Sequence, residues 1–104
     1  MRRVRDVILL EEAAGDLGEG MAFYEAQQQG IGCYFFDSIL ADIDSLLLYA
    51  GVHSERLGYY RMLASRFPFA IYYEIVDDIA RVVAVLDMRR DPAWLRREME
   101  ERHG

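Results

Sequence analysis

Four arginines, Arg61, Arg66, Arg89 and Arg90, are the side chains of this sequence best suited to hold an anion. A guanidinium is planar and permanently charged, so it grips a carboxylate or phosphate with two parallel hydrogen bonds but makes a poor general base. Arg89 and Arg90 precede Asp91-Pro92-Ala93-Trp94, which reads as a helix start. Asp91 can accept from the orphan backbone donors there, and Pro92 suits the first helical position because its missing N–H would have no partner anyway. Two cations ahead of a helix N-terminus sit in an unfavourable dipole field. Either Asp87 and Asp91 neutralise them, or they wait for a carboxylate or a phosphate. Arg61 and Arg66, at opposite parity on one expected strand, point to opposite faces and cannot join one basic patch. The other reactive residue types fall short of a site. His53 with Glu55, and His103, offer too few ligands at no metal spacing, so no metal and no cofactor is expected. Cys33, beside Tyr34, Phe35 and Phe36, reads as a small core residue. Tyr59, Tyr60, Tyr72 and Tyr73 could stack on bases, but at strand positions they read as core or interface residues. No catalytic residue can be assigned.

The elements that must position these arginines fit in one domain, residues 1–104, long enough to bury about 65% of the surface of its unfolded form. One cysteine cannot form a bridge within the chain. The opening Met1-Arg2-Arg3-Val4-Arg5 leads into an apolar stretch too short for a signal peptide, and no apolar run approaches the roughly 20 residues of a membrane span. A cytoplasmic protein without membrane contact is the expectation. The net charge is -6, and the excess acid lies in the first half. Every basic residue other than the two histidines is an arginine. An acidic balance argues against a nonspecific nucleic-acid binder, which runs on concentrated positive surface.

Val4 to Leu9 predicts a strand. Leu10, Ala14, Leu17, Met21 and Tyr24 then recur at helical spacing up to a stop near Gln27-Gln28-Gln29-Gly30. Gly15, Gly18 and Gly20 interrupt that helix at about 1 kcal/mol each relative to alanine, so packing must stabilise it. Phe36, Ile39, Leu40, Ile43, Leu46, Leu47 and Ala50 mark one face of a second helix, and the short connection makes residues 10 to 50 an antiparallel hairpin. Residues 51 to 58 read as a loop. Strands follow over Tyr60–Arg66, Phe67–Val76 and Ile79–Met88, the last two joined by the two-residue turn Asp77-Asp78. Both parities of these last strands are apolar, which predicts a sheet covered on both faces. The hairpin covers one. The short helix from Pro92 leaves much of the other, where a partner chain is expected. The predicted class is α+β: an N-terminal strand and an antiparallel helical hairpin packed on a mostly antiparallel sheet, with a short C-terminal helix.

Phe67-Pro68-Phe69-Ala70-Ile71-Tyr72-Tyr73-Glu74-Ile75, the strand Ala80 to Met88 and the corner Arg89-Arg90-Asp91-Pro92 resemble the C-terminal half of the RelE/ParE superfamily of small bacterial toxins. The run Phe23-Tyr24-Glu25-Ala26-Gln27-Gln28-Gln29-Gly30-Ile31-Gly32-Cys33-Tyr34-Phe35 is similar to the family's helix turn, with Gln29 where proline is common. Arg61 falls where the family often has arginine. The resemblance implies a growth-inhibiting toxin of a type II toxin–antitoxin system, of the kind linked to plasmid stabilisation, with a cognate antitoxin as partner. It also implies Arg61, Arg66, Arg89 and Arg90 as contacts to target or antitoxin. The ribosome-dependent endoribonucleases of the superfamily rely on lysines and a late tyrosine or histidine to move protons at messenger RNA. This chain has no lysine and no tyrosine after Tyr73, and it carries Asp87 where related sequences often show histidine. The resemblance therefore leans to the ParE branch, which implies inhibitory binding with DNA gyrase as target. The alternatives are a RelE-like messenger-RNA endoribonuclease acting on the ribosome and an inactive binding module of the same fold.

Overall fold

The computed structural model describes residues 3–103, the side chain of His103 excepted. A strand β1 (Asp6–Leu9) leads into α1 (Glu11–Gln27) and α2 (Ile31–Asp44), a short α3 (Leu46–Tyr49), the strands β2 (Glu55–Arg56), β3 (Tyr59–Leu63), β4 (Phe69–Val76) and β5 (Ile79–Asp87), and α4 (Pro92–His103). The sheet order is β1-β5-β4-β3-β2, with β1 parallel to β5 and every other pair antiparallel. The class is α+β. None of the described helices is long and apolar enough to cross a membrane.

The two apolar parities of β4 and β5 build two cores. On one face Phe69, Ile71, Tyr73, Val82 and Val85 pack with Leu17, Phe35, Ile39, Ile43 and Leu46 of the helices. On the other, Ala70, Tyr72, Val83, Ala84 and Leu86 meet Leu95 and Met99 of α4. The expectation that α4 would leave most of this face bare is therefore corrected: Tyr72 and Leu86 are 2% and 3% exposed without any partner. A helix of three turns suffices because its few apolar residues land over the sheet's centre. What stays open is the β3 side, where Leu63 is 61% exposed.

Other boundaries shift for local reasons. In α1 the buried positions are Ala13, Leu17 and Gly20, while Ala14 is exposed, because Leu10 packs on the α4 side and does not start the stripe. In α2 the central ring is Phe35, fully buried, and Phe36 lies at the core's margin. The second helix breaks at Ser45, whose hydroxyl donates to the Asp42 carbonyl, and Leu47 is exposed. Residues 55–56, read as loop, form the edge strand β2. Strand β3 ends at Leu63, so Arg66 lies beyond it. Cys33 is exposed.

The hairpin between α1 and α2 has a device of its own. Glu25 of α1 accepts from the backbone N–H groups of Gly30 at 3.0 Å and Gly32 at 2.9 Å. One carboxylate thus caps the helix that follows, opposite its positive dipole end. Gly32 is needed for the approach, since a Cβ there would lie 2.6 Å from the Met21 carbonyl.

The glycines of α1 divide the same way. A Cβ on Gly15 or Gly18 meets nothing within 4 Å, whereas one on Gly20 would sit 2.6 Å from the buried Phe35 ring. Gly15→Ala and Gly18→Ala should each stabilise by about 0.5–1 kcal/mol through helix propensity. Gly20→Ala should destabilise, because overpacking costs about 1–3 kcal/mol against the same gain. Urea midpoints at constant slope test the signs; three equal shifts would contradict this packing.

Candidate functional site

The arginine corner between β5 and α4 is held by its own side chains. Arg89 places Nε 3.0 Å from Asp87 Oδ1 and Nη2 2.8 Å from Oδ2, a bidentate pair, and its Nη2 also donates to the Tyr24 hydroxyl. The Arg89 guanidinium holds the Asp87 carboxyl below the usual carboxylate range, even though partial burial works the other way. Arg90 lies 3.8 Å over the Trp94 ring. Asp91 Oδ1 accepts from the Ala93 N–H at 2.8 Å, and Pro92 opens α4. The dipole problem at this helix start is thus met within the chain, by Asp87 for Arg89 and by an aromatic face for Arg90.

The remaining two arginines lie apart. Arg61 is on the outward side of β3, between Tyr59 and Leu63, and its Nε is buried without a hydrogen-bond partner. Burial pushes the Tyr72 hydroxyl up, and the guanidiniums of Arg61 and Arg56 pull it back. Arg66 sits past the strand against α2, donating to the Tyr34 hydroxyl at 3.0 Å, while Asp42 takes the neighbouring Ser65 backbone and hydroxyl. Arg61 and Arg66 do face opposite sides, but strand parity is not the reason: one belongs to the sheet and the other to a turn. The four arginines do not converge on one anion.

Two pairings gave no local signal in the sequence. The first is Arg102, whose Nη1 and Nη2 lie 2.5 and 2.7 Å from Asp16, with Glu98 at 3.2 Å and Glu12 at 3.5 Å. Nothing local announces it, since the partners are 86 positions apart. Its setting is a bulge: Tyr72 faces Ala84 and Tyr73 faces Val82, leaving Val83 unpaired. Arg102 takes the Val83 carbonyl and Asp16 takes the Val85 N–H.

The second is His53. The fully buried Tyr73 accepts from the Gly51 N–H at 2.9 Å, and its hydroxyl lies 2.5 Å from His53 Nδ1. Burial lowers the His53 pKa and so favours the neutral ring, which pairs with the tyrosine hydroxyl through Nδ1. A base depressed in the folded state binds more protons unfolded. Its contribution is present above the ordinary value of 6.5 and is lost as pH falls through the folded value. Stability should therefore decline from neutral pH towards pH 5 by an amount that His53→Asn removes; parallel pH profiles for the two proteins would refute the link. Among the described residues no group of three or more His, Cys, Asp or Glu could hold a metal ion.

No protein-family model and no curated protein matches this chain. Among solved structures, a chain of "Chromosomal ParDE TA system from P. aeruginosa" superposes with a TM-score of 0.70 at 18% identity, covering 77% of this chain and 91% of that one. The two chains share a fold. This is the arrangement that the resemblance to the RelE/ParE superfamily implied, reached here through packing and not through sequence identity.

Proposed function

We propose that this chain is the toxin of a type II toxin–antitoxin pair, ParE-like, acting by inhibitory binding and neutralised by a cognate antitoxin. The observation that carries the reading is the fold shared with a chain of a ParDE system. The chemistry of the surface supports binding over catalysis. Arg89 is engaged by Asp87 and Arg90 by Trp94, Arg61 and Arg66 face different sides, and the half-buried His53 is held by the hydroxyl of the buried Tyr73. Among the described residues the titratable groups hydrogen-bonded to Arg89 and Arg66 are Asp87 and the Tyr24 and Tyr34 hydroxyls, none of them the histidine or lysine that strand cleavage by a 2′-hydroxyl would use. DNA gyrase is the target that the branch implies.

Purified chain should inhibit gyrase supercoiling and leave ribosome-bound messenger RNA intact. Arg89→Ala/Arg90→Ala should weaken the inhibition at least tenfold, in the range of a lost pair of interface arginines. Site-specific cuts in the ribosomal A site, lost in the double variant, would establish the endoribonuclease in its place. Neither activity, with no effect on growth, would leave a binding module of the same fold.

A further inference from the structure

Strand β1 stops at Leu9, opposite Val82, so residues 83–87 of β5 have no strand beside them on that side of the sheet. Helices α1 and α4 flank this bare edge instead. Between them lies a slot of about 300 Å³, at the lower end of the range that small-molecule sites occupy. At one end of it Arg102 donates to the Val83 carbonyl and Asp16 accepts from the Val85 N–H. By alternation the next outward groups are the Val85 carbonyl and the Asp87 N–H, which lie at the floor of the slot and find no partner among the described residues. The Met88 N–H turns the other way, to the Pro68 carbonyl, as that alternation requires.

Three features suit this slot to a small planar ligand. A carbonyl and the N–H two residues on make a fixed acceptor–donor pair, and at the buried Val85 an unanswered carbonyl is costly until a donor meets it. Phe23, on the α1 wall, is 50% exposed, whereas Arg90 already lies 3.8 Å over the Trp94 ring of the α4 wall. Phe23 is thus the ring available for stacking. Glu19, one turn before Phe23 on α1, offers its carboxylate to hydroxyl groups. Once Asp87 is paired with Arg89 and Asp16 with Arg102, Glu19 and Glu98 face Arg90 alone, so the slot disfavours an anion.

We propose that this slot binds the adenine of a free nucleoside. The exocyclic amino group donates to the Val85 carbonyl, a ring nitrogen accepts from the Asp87 N–H, the base stacks on Phe23 and the ribose hydroxyls meet Glu19. The assignment is independent of the toxin reading. Adenine carries an amino donor beside a ring-nitrogen acceptor, the complement of that backbone pair. An added strand fits less well. Arg102 and Asp16 hold the two edge positions before this pair, and the Asp87 carbonyl turns to the Arg90 N–H, so a strand would find a single donor–acceptor pair to use.

The test is an NMR titration of the full chain with adenosine, N6,N6-dimethyladenosine, ATP and a short oligoadenylate. Adenosine should shift the backbone amides of Phe23, Val85, Asp87 and Glu98, and move the Asp87 amide proton downfield as its hydrogen bond forms. The dimethylated nucleoside, which has lost the amino donor, should be inert. ATP should bind more weakly than adenosine, and Glu19→Gln should narrow that gap by removing a like charge. Phe23→Ala should weaken adenosine about tenfold, Phe23→Tyr should restore it, and Arg5→Gln, away from the slot, should leave it unchanged. Because Phe23 is half exposed, these substitutions leave the core intact. Equal binding of the two nucleosides, ATP tighter than adenosine, binding of the oligoadenylate alone, full affinity in Phe23→Ala, or no binding by any probe would each overturn the proposal.

Discussion

Arg102→Met should cost about 3–5 kcal/mol, much of the stability of a domain this size, by leaving Asp16 buried without its partner. The Arg102 and Asp16 side chains are 9% and 10% exposed, so water cannot take over the solvation that the bidentate pair supplies. The pair also satisfies the bulge, through the Val83 carbonyl and the Val85 N–H, and thereby joins α1, β5 and α4. Methionine preserves the apolar stem, which isolates the lost charge. Asp16→Leu should cost a similar amount, and the double variant Asp16→Leu/Arg102→Met clearly less than the sum of the singles, because well-packed apolar groups can replace a buried pair. Glu12, 68% exposed in its side chain, should matter little. Urea unfolding of the four proteins completes the cycle. Additivity of the two singles to within about 0.5 kcal/mol would show that the ions do not stabilise each other.

The second large effect is expected from the partner. Leu47, Leu48, Tyr49 and Val52 are between 44% and 57% exposed around α3, and Leu63 is more exposed still. Apolar surface of that kind on a small chain marks an interaction site or a liability to aggregate. With the cognate antitoxin proposed above present at about a thousandfold excess over its dissociation constant, apparent stability should rise by about 4 kcal/mol. For a domain near this size that moves the unfolding midpoint by tens of degrees, since each kcal/mol is worth about 4–8 °C. Thermal unfolding across a series of partner concentrations should show the midpoint climbing with the logarithm of concentration. A midpoint indifferent to the partner would argue that the two do not form a native complex, and that the exposed surface serves something else.

Where local pattern carries the information, the sequence by itself determined the outcome. The helical hairpin, the strand pair β4–β5 with its Asp77-Asp78 turn, and the cap at Asp91-Pro92 all rest on periodicity, turn chemistry or adjacent residues, and those signals act within a few positions of one another. The apolar parity of β4 and β5 likewise announced two covered faces. Which element would cover each was a matter of distance in space. That α4 could close the second core depended on Leu95 and Met99 landing over Tyr72 and Leu86. That Phe35, not Phe36, became the central ring depended on Gly20 of another helix giving it room. Only the tertiary structure decided the state of the arginines. Arg89 and Arg90 read either as neutralised by Asp87 and Asp91 or as waiting for an anion, and folding gave Arg89 to Asp87 and Tyr24 and laid Arg90 on Trp94. Arg102 carries no local signal in the sequence, and folding made it the buried link between the two ends of the chain. A charge takes its meaning from its desolvation and its nearest opposite charge, and neither quantity is a property of sequence neighbours.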